Sequence, residues 1–298
     1  MPDVVILTLR RDSHGCMCGA EQGAEGGCGG DDRPRVPVLA CADALRGHGL
    51  SVELVTAGDD SELDAALKTP GRLVVAAATD AELRAVVRRL VRRNAPPPSK
   101  RPADLPGNRT MFDLDPMAVL PLAPAVPELV TTLGLPRTPE QVAQAVVGER
   151  THRYDLLRTD SGSATLGGAL VGGVSEGVVK AWRGRVEVDD TVLSDGEEPI
   201  IACAVRNAGS SEVDGLPLLL DATPDDGRVE VAVAVPVMKR RLLRQADVEY
   251  EVRRARGRAV SVVPRGTDVR FVDDGVAGTL THKRSWWTEA GAWAAYVM

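Results

Sequence analysis

The chain has 298 residues, of which 44% are hydrophobic and 26% are charged, so it can bury one large core or two smaller ones. Its formal net charge of −6 excludes nucleic-acid binding driven by overall positive charge, and we expect no nucleic-acid partner. No apolar run in the sequence reaches the roughly 20 residues that a membrane-spanning helix needs.

The beginning of the sequence, MPDVVILTLRRDSHG, has no basic region before its apolar part and no small-residue cleavage site. This pattern predicts a chain without a secretory leader and a cytoplasmic location. The five cysteines are odd in number, which favours free thiols over a disulfide framework. Abundant alanine, arginine, valine and glycine is typical of a bacterial coding sequence.

The first half of the sequence alternates between two hydrophobic periods. Short apolar or alternating runs predict strands, whereas apolar residues at three- and four-residue spacing predict helices. The predicted strands are Val4–Leu9, Ser51–Thr56, Leu73–Ala78 and Met117–Leu122, and the predicted helices are Val36–His48, Ser61–Lys68, a helix that begins at Thr79 or Asp80, Glu128–Leu133 and Thr138–Val147. This order favours a parallel sheet with helices on both faces.

Two segments between these elements lack hydrophobic periodicity. Arg11–Arg35 is rich in glycine and predicts a mobile loop, and the proline-rich Asn94–Pro116 predicts a long surface loop. The first segment contains Cys16, Cys18 and Cys28 in a C-x-C-x9-C spacing, which differs from the standard zinc patterns. We predict a metal-free loop, with a metal site as the open alternative.

The stretch from Leu73 to Asp80 organises the first half. A buried strand, a tight turn and a helix N-terminus form a natural phosphate site, because free N–H groups and the helix dipole point into the turn. Thr79 or Asp80 can cap the helix. However, Ala76–Ala78 place methyl groups where glycine usually lets the backbone approach a phosphate.

After Arg150 the pattern changes to short alternating runs separated by Asp and Gly turns. The predicted strands are Arg153–Arg158, Ala164–Val171, Arg185–Val188, Pro199–Val205, Arg228–Val235, Val248–Arg254, Ala259–Val263, Val269–Val272 and Ala292–Val297, and the one predicted helix is Val237–Gln245. Many short strands at even spacing predict an antiparallel sandwich. We therefore expect an α/β domain over residues 1–150 and a β-sandwich over 151–298, whose last residues are free to return to the first domain.

Five segments of the chain are similar to motifs of one known family: Leu50–Thr56, Arg72–Val87, Leu120–Pro136, Arg150–Arg158 and Val272–Trp293. In this order they resemble the second strand, the Gly-Gly-Asp-Gly-Thr nucleotide loop, the Pro-Leu-Gly-Thr-Gly-Asn-Asp segment, the linker strand and the Asp-Gly-Glu strand pair of the diacylglycerol kinase catalytic-domain superfamily. That superfamily includes bacterial lipid kinases and sphingosine kinases, with NAD kinase as a distant relative. The resemblance implies a three-layer α/β domain followed by a β-sandwich.

The resemblance also implies a reaction, ATP-dependent phosphorylation of a lipid hydroxyl with Mg²⁺. By position, it implies ATP contacts at Ala77, Ala78, Thr79, Asp80 and Ala123, a Mg²⁺ ligand at Asp80 and a catalytic role for Asp274. A lipid or another small molecule with a hydroxyl group would be the substrate. A peripheral membrane contact and a homodimer are left open.

The sequence departs from the family at each of these motifs. The glycines of the nucleotide loop are absent, and Ala123–Pro127 replaces the second motif with apolar residues. Val276 stands where the family has the glutamate that takes the substrate proton. Asp195-Gly196-Glu197 repeats the tripeptide, but its early position predicts only a turn. Two hypotheses follow: a lipid kinase, or a non-catalytic relative that binds lipid or nucleotide as a regulator or scaffold.

Several candidate residues have a structural interpretation beside the functional one. Asp80 binds Mg²⁺ or caps a helix, and Asp274 holds a metal-bound water or forms a tight turn with Gly275. The late tryptophans line a lipid groove or pack in the core, and the basic clusters attract anionic headgroups or face solvent. These residues are Trp286, Trp287, Trp293, Arg88, Arg89, Arg92, Arg93 and Lys239–Arg244.

Overall fold

A computed structural model describes residues 1–10, 36–96, 100, 102–107, 109–122, 127–175, 178–239 and 247–298. The helices are α1 (Val36–Gly47), α2 (Asp60–Ala66), α3 (Asp80–Asn94), α4 (Glu128–Thr132) and α5 (Pro139–Gly148). The strands of the first half are β1 (Val4–Leu9), β2 (Val52–Ala57), β3 (Arg72–Ala77) and β4 (Met117–Pro121).

The remaining strands all follow residue 150. They are β5 (Thr151–Thr159), β6 (Ala164–Thr165), β7 (Gly168–Gly172), β8 (Val174–Ser175), β9 (Val178–Val179), β10 (Trp182–Val188), β11 (Thr191–Ile200), β12 (Ala202–Arg206), β13 (Gly209–Val213), β14 (Leu216–Ala222), β15 (Val229–Lys239), β16 (Asp247–Gly257), β17 (Ala259–Arg265), β18 (Val269–Asp273), β19 (Val276–Leu280) and β20 (Arg284–Tyr296).

The predicted parallel sheet is confirmed. Strands β2, β1, β3 and β4 lie side by side in that order and pair in parallel. Neighbouring residues point to opposite faces, so Ile6 and Val74 belong to one apolar cluster and Leu7 and Val75 to another. Helices cover both clusters, which explains why these strands are continuous apolar runs.

The helix ends follow local sequence signals. Thr138 accepts a hydrogen bond from the N–H of Gln141, whose side chain accepts one from the Thr138 N–H, and Pro139 is the first helical residue of α5. This arrangement is a capping box, and proline is favoured at the first position of a helix. In α2, the Asp59 carboxylate accepts from the N–H groups of Ser61 and Glu62.

Strand β20 connects the two halves of the chain. It pairs with β17 through Trp286 and Val260, with β5 along most of its length, and in parallel with β4 near Ala295. One ten-stranded sheet therefore runs from the parallel strands to β10 and β11. The division into domains at residue 150 stays a prediction.

A six-stranded sheet faces the antiparallel end of this large sheet, in the order β16, β15, β12, β7, β18, β19. Its strands pair antiparallel, as predicted. Between the two sheets lies a core that includes Leu157, Trp182, Val231 and Trp286. The alternating pattern of the second half therefore comes from strands with one face in this core.

Some predictions for the second half are wrong. Residues 237–239 belong to β15 and not to a helix, because the antiparallel pairing of β15 with β16 continues as far as Lys239. The remainder of the predicted helix, 240–245, lies outside the described residues. Asp195-Gly196-Glu197 is part of β11, where a bulge opposite β10 puts Gly196 at a φ of +94°.

Two predicted strands are interrupted in the structure. Ala164–Val171 is split into β6 and β7, and Pro199–Val205 spans the corner between β11 and β12. Arg11–Arg35, with its three cysteines, lies outside the described residues, so the metal-free prediction stays untested. Within the described ranges, no helix is both long enough and apolar enough to cross a membrane.

Candidate functional site

The turn between β3 and α3 is closed by the side chains of its own helix. Thr79 is the N-cap, and its hydroxyl accepts from the Glu82 N–H at 3.3 Å. The Glu82 carboxylate in turn accepts from the Ala78 N–H at 2.6 Å. The Glu82 carboxylate therefore occupies the Ala78 N–H in the turn. A phosphate site at this turn would need that N–H as a free donor.

Asp80 is the first residue of α3 and does not cap that helix. Its carboxylate accepts from the N–H of Leu129 at 3.1 Å, at the start of α4. Burial raises the pKa of Asp80, and the nearby charges of Asp274 and Glu128 add to the rise. Asp80 therefore ties the N-terminus of one helix to that of the next.

The second predicted motif is only partly described. Ala123 and its three successors lie outside the described residues, so the predicted ATP contact there is untested. Pro127 precedes α4 and forms no side-chain cap hydrogen bond. Proline also has no N–H, so this position offers a phosphate no backbone donor.

Asp274 lies in the turn between β18 and β19. Both Asp274 and Gly275 have positive φ angles, +44° and +77°, as the predicted two-residue hairpin turn requires. The Asp274 carboxylate accepts from the N–H groups of Leu166, Gly167 and Gly168 at 2.6, 2.9 and 2.9 Å. It thereby joins the hairpin to the segment that leads into β7.

Two adjacent acidic residues, Asp273 and Asp274, lie at the start of this turn. Burial raises the pKa of Asp274 to about 6, and the neighbouring Asp273 adds to the rise, whereas the three N–H donors lower it. Burial likewise raises the pKa of Asp273, against the opposing effect of Arg84. Both carboxylates are therefore held at an energetic cost that their hydrogen bonds partly offset.

Arg84 on α3 binds this acidic pair from the first half of the chain. Its guanidinium donates to Asp273 at 2.7 Å, to the Ala164 carbonyl at 2.8 Å and to the Ser163 hydroxyl at 3.0 Å. Its side chain is only 10% exposed and that of Asp273 1%. A desolvated ion pair thus fixes α3 against the second half of the molecule.

A cavity of about 370 Å³ opens beside these contacts. It is lined by Asp80 of α3, by Glu128, Leu129 and Thr132 of α4, and by Gly167, Gly168, Leu170, Arg206, Val272, Asp274 and Gly275 of the second half. Arg206 donates to the Ala208 carbonyl at 3.0 Å and lies 3.5 Å from the Glu128 carboxylate. The cavity therefore brings together Asp80 and Asp274, two residues that the sequence predicts for the site.

The other described residues singled out from the sequence for the site do not line this cavity. Ala77 and Ala78 are buried behind the turn, and Val276, at the start of β19, has no group that can take a proton. Trp286 and Trp293 are core residues, as the packing interpretation predicts, and Trp287 donates to Glu289 at 2.9 Å.

The remaining functional interpretations concern metals and basic clusters. Arg89 on α3 pairs with Asp60 and Asp64. Within the described ranges, no group of three or more His, Cys, Asp or Glu side chains is arranged to hold a metal ion. The predicted Mg²⁺ ligand Asp80 stays a prediction.

Sequence reasoning missed three contributors to the site. Glu82 was readable, because Thr-x-x-Glu before a helix is a capping-box pattern. Arg84 and Arg206 had no local signal, since their partners are set by tertiary packing. Arg84, for example, is 189 residues from Asp273 in the chain.

Comparison with known proteins supports the fold. The chain matches three solved structures from Bacillus anthracis str. Sterne, one described as a diacylglycerol kinase and two as candidate diacylglycerol kinases. Each is 13% identical with a TM-score of 0.62, and each match covers all of this chain and 97–98% of the other. No family model and no curated protein matches the sequence. The chain therefore has the fold of these diacylglycerol kinase structures.

Proposed function

We propose that this protein is a non-catalytic relative of the lipid kinases, which binds a lipid or another small hydroxyl compound in the cavity without phosphorylating it. The observation that carries the proposal is the state of the backbone N–H groups around the cavity. Glu82 is bound to Ala78, Asp80 to Leu129, and Asp274 to the segment 166–168. The chain's own carboxylates hold the donors that a phosphate would need.

Phosphoryl transfer depends on positioning and charge stabilisation, with N–H donors at the phosphates, acidic ligands for Mg²⁺ and a group that orients the acceptor. The residues around this cavity do not fit the phosphates of ATP, because the backbone N–H donors beside it are already bound to carboxylates. Asp80 and Asp274, which line the cavity, would in addition repel a phosphate that Mg²⁺ does not screen. Asp274 is poorly placed to act as a base, because three of the roughly four acceptor sites of its carboxylate are taken by backbone N–H groups and its side chain is only 2% exposed. Val276 supplies no substitute.

The cavity retains features that suit an amphipathic ligand. Leu129, Leu170 and Val272 give it apolar walls, and Asp80, Thr132 and Arg206 give it polar groups. Apolar walls with a few polar groups are typical of small-molecule sites. A ligand hydroxyl can donate to a carboxylate there, whereas its hydrocarbon part contacts the leucines.

The second candidate function is that of an active lipid kinase, and one observation favours it. Asp80 lines the cavity, and its raised pKa brings it nearer to the range in which a carboxylate can exchange protons with a hydroxyl. In that case Asp80 would serve either as a base or as a Mg²⁺ ligand. A peripheral membrane contact, a homodimer and a cytoplasmic location stay predictions under both candidates.

The test measures transfer of labelled phosphate from Mg²⁺-ATP to a panel of diacylglycerols and sphingoid bases, together with binding of the same lipids. We expect lipid binding without transfer. Arg206→Met should weaken lipid binding if the cavity is the site, whereas Arg46→Met, far from the cavity on α1, should not. Turnover in the wild type that Asp80→Asn abolishes would show that the protein is a working kinase.

A further inference from the structure

Three consecutive backbone N–H groups converge on a single carboxylate at the wall of the cavity. Those of Leu166, Gly167 and Gly168 lie 2.6–2.9 Å from the Asp274 oxygens. Successive N–H groups that point into one concavity form a nest, an arrangement that binds anions in many proteins. Here the anion in the nest is a side chain of the same molecule, more than a hundred residues away along the chain.

The surroundings of the nest are built for one small anion. The Asp274 side chain is 2% exposed, and the Nε of Arg84 lies 3.8 Å from its carboxylate. A side chain at Gly168 would come within 2.5 Å of both the Val205 carbonyl and Arg206. At Gly167 it would come to 3.3 Å from Asp274 itself. Gly167 therefore lets the backbone approach the anion closely, whereas Gly168 lets it approach the neighbouring strand β12.

Charged groups from every adjacent element face the nest. Asp273 on β18 lies next to Asp274 and is paired with Arg84 on α3. Asp80 on α3 lies across the cavity, as does the Arg206–Glu128 pair of β12 and α4. Since Asp273 already neutralises Arg84, the nest favours an anion with a single negative charge over a dianion such as phosphate.

We propose that residues 166–168 form an anion nest for a small monoanionic carboxylate, and that Asp274 is its resident ligand. By filling the nest, the side chain fixes the β18–β19 hairpin to the segment that enters β7 and so sets one wall of the cavity. Asp274 is then a positioning residue. Its carboxylate, and not its backbone conformation in the turn, fixes the hairpin to residues 166–168. The inference does not depend on whether the protein transfers phosphate.

Chemical rescue tests this directly. Asp274→Gly removes the carboxylate but preserves the turn, because glycine adopts positive φ freely. Formate, which has the size and charge of the lost group, should then bind in the empty nest. At a tenfold excess over its dissociation constant, formate should raise the melting temperature of the variant by on the order of 3 °C, with chloride at equal ionic strength as the reference.

Asp189→Gly is the matched control. Asp189 also has a positive φ, +47°, and its carboxylate accepts from the N–H groups of Arg258 and Ala259, but it is exposed. Water can replace its carboxylate, so formate should not stabilise that variant or the wild type. If formate shifts Asp274→Gly no more than it shifts these two proteins, the nest does not bind anions and the proposal fails.

The variant is informative even where it does not fold in buffer. In that case the ellipticity of Asp274→Gly is followed as formate is added up to about 100 mM, well above the range of a weak anion site. Recovery of the native spectrum with formate, but not with chloride, supports the nest. Absence of recovery overturns it, as does equal recovery with both salts.

Discussion

At the scale of single residues, the buried pair of Arg84 and Asp273 holds the two halves of the chain together. Arg84→Met keeps most of the apolar stem and removes the charge, so Asp273 is left buried without its partner. We expect a loss of about 3–5 kcal/mol in the free energy of unfolding, measured by urea denaturation. Arg46→Met, which removes an exposed pair with Asp43, is the control and should change little. Equal effects of the two variants would contradict the assigned role.

The raised pKa of Asp274 leads us to expect that the stability of the protein depends on pH. Because its folded-state pKa is raised from 3.8 to about 6, the folded protein binds a proton more readily than the unfolded chain in that window. The part of the Asp274 contribution that depends on the bound proton is therefore greatest below about pH 4 and is lost as the pH rises to about 6, where the three N–H bonds to the ionised carboxylate remain. The stability difference between the wild type and Asp274→Asn should shrink over this range. A difference that grows with pH would mean that the pKa of Asp274 is lowered, not raised, in the folded protein.

The sequence predicted some of these residues and could not predict others. Thr79, Asp80 and Asp274 were identified because turns and helix starts have local signatures. The partners of Asp80 and Asp274 were not, since Leu129 and residues 166–168 contribute backbone N–H groups, which nearly every residue type has. A hydrogen bond to the backbone leaves no trace in composition or spacing.

At the scale of elements, the β18–β19 hairpin depends on the backbone of its turn. Gly275 has a φ of +77°, and a side-chain carbon added there would lie 3.9 Å from its nearest neighbour, so strain and not collision opposes a side chain. Gly275→Ala should therefore cost about 1 kcal/mol in thermal or urea unfolding. Gly148→Ala, on the exposed last turn of α5, should instead be neutral or stabilise by up to about 1 kcal/mol. The same sign for both would contradict the turn geometry.

The sequence predicts helices and strands correctly where the hydrophobic periodicity agrees with the capping and turn residues at their ends. The strands and helices of the first half were found within a few residues, because buried parallel strands and capped helices have strong patterns. Hairpin β13–β14 was missed, since its strands are short and carry polar residues such as Ser211 and Glu212. The predicted helix is wrong at residues 237–239, because an apolar run can form either element and pairing with β16 makes these residues a strand.

At the scale of the whole molecule, β20 pairs with strands of both halves, and we expect the two halves to unfold together. Trp293 is 1% exposed, and its ring centroid lies 5.2 Å from that of Tyr154. Its indole N–H donates to the Asp155 carbonyl at 3.0 Å. Trp293→Ala should cost about 3–5 kcal/mol and lower the stability of both halves in a single transition, followed by circular dichroism. Phe112→Ala, at a position 40% exposed, should cost far less. Two separate transitions in the wild type would show that the shared sheet does not couple the halves.

We infer that the cavity does not hold a nucleotide, although the chain has the fold of diacylglycerol kinase structures. Titration calorimetry with Mg²⁺-ATP on the full chain tests it most directly. We predict no binding at nucleotide concentrations up to about 1 mM, which corresponds to less than about 4 kcal/mol of binding free energy. Micromolar binding at one nucleotide per chain, lost in Asp80→Asn, would contradict the account and identify the cleft as a working nucleotide site.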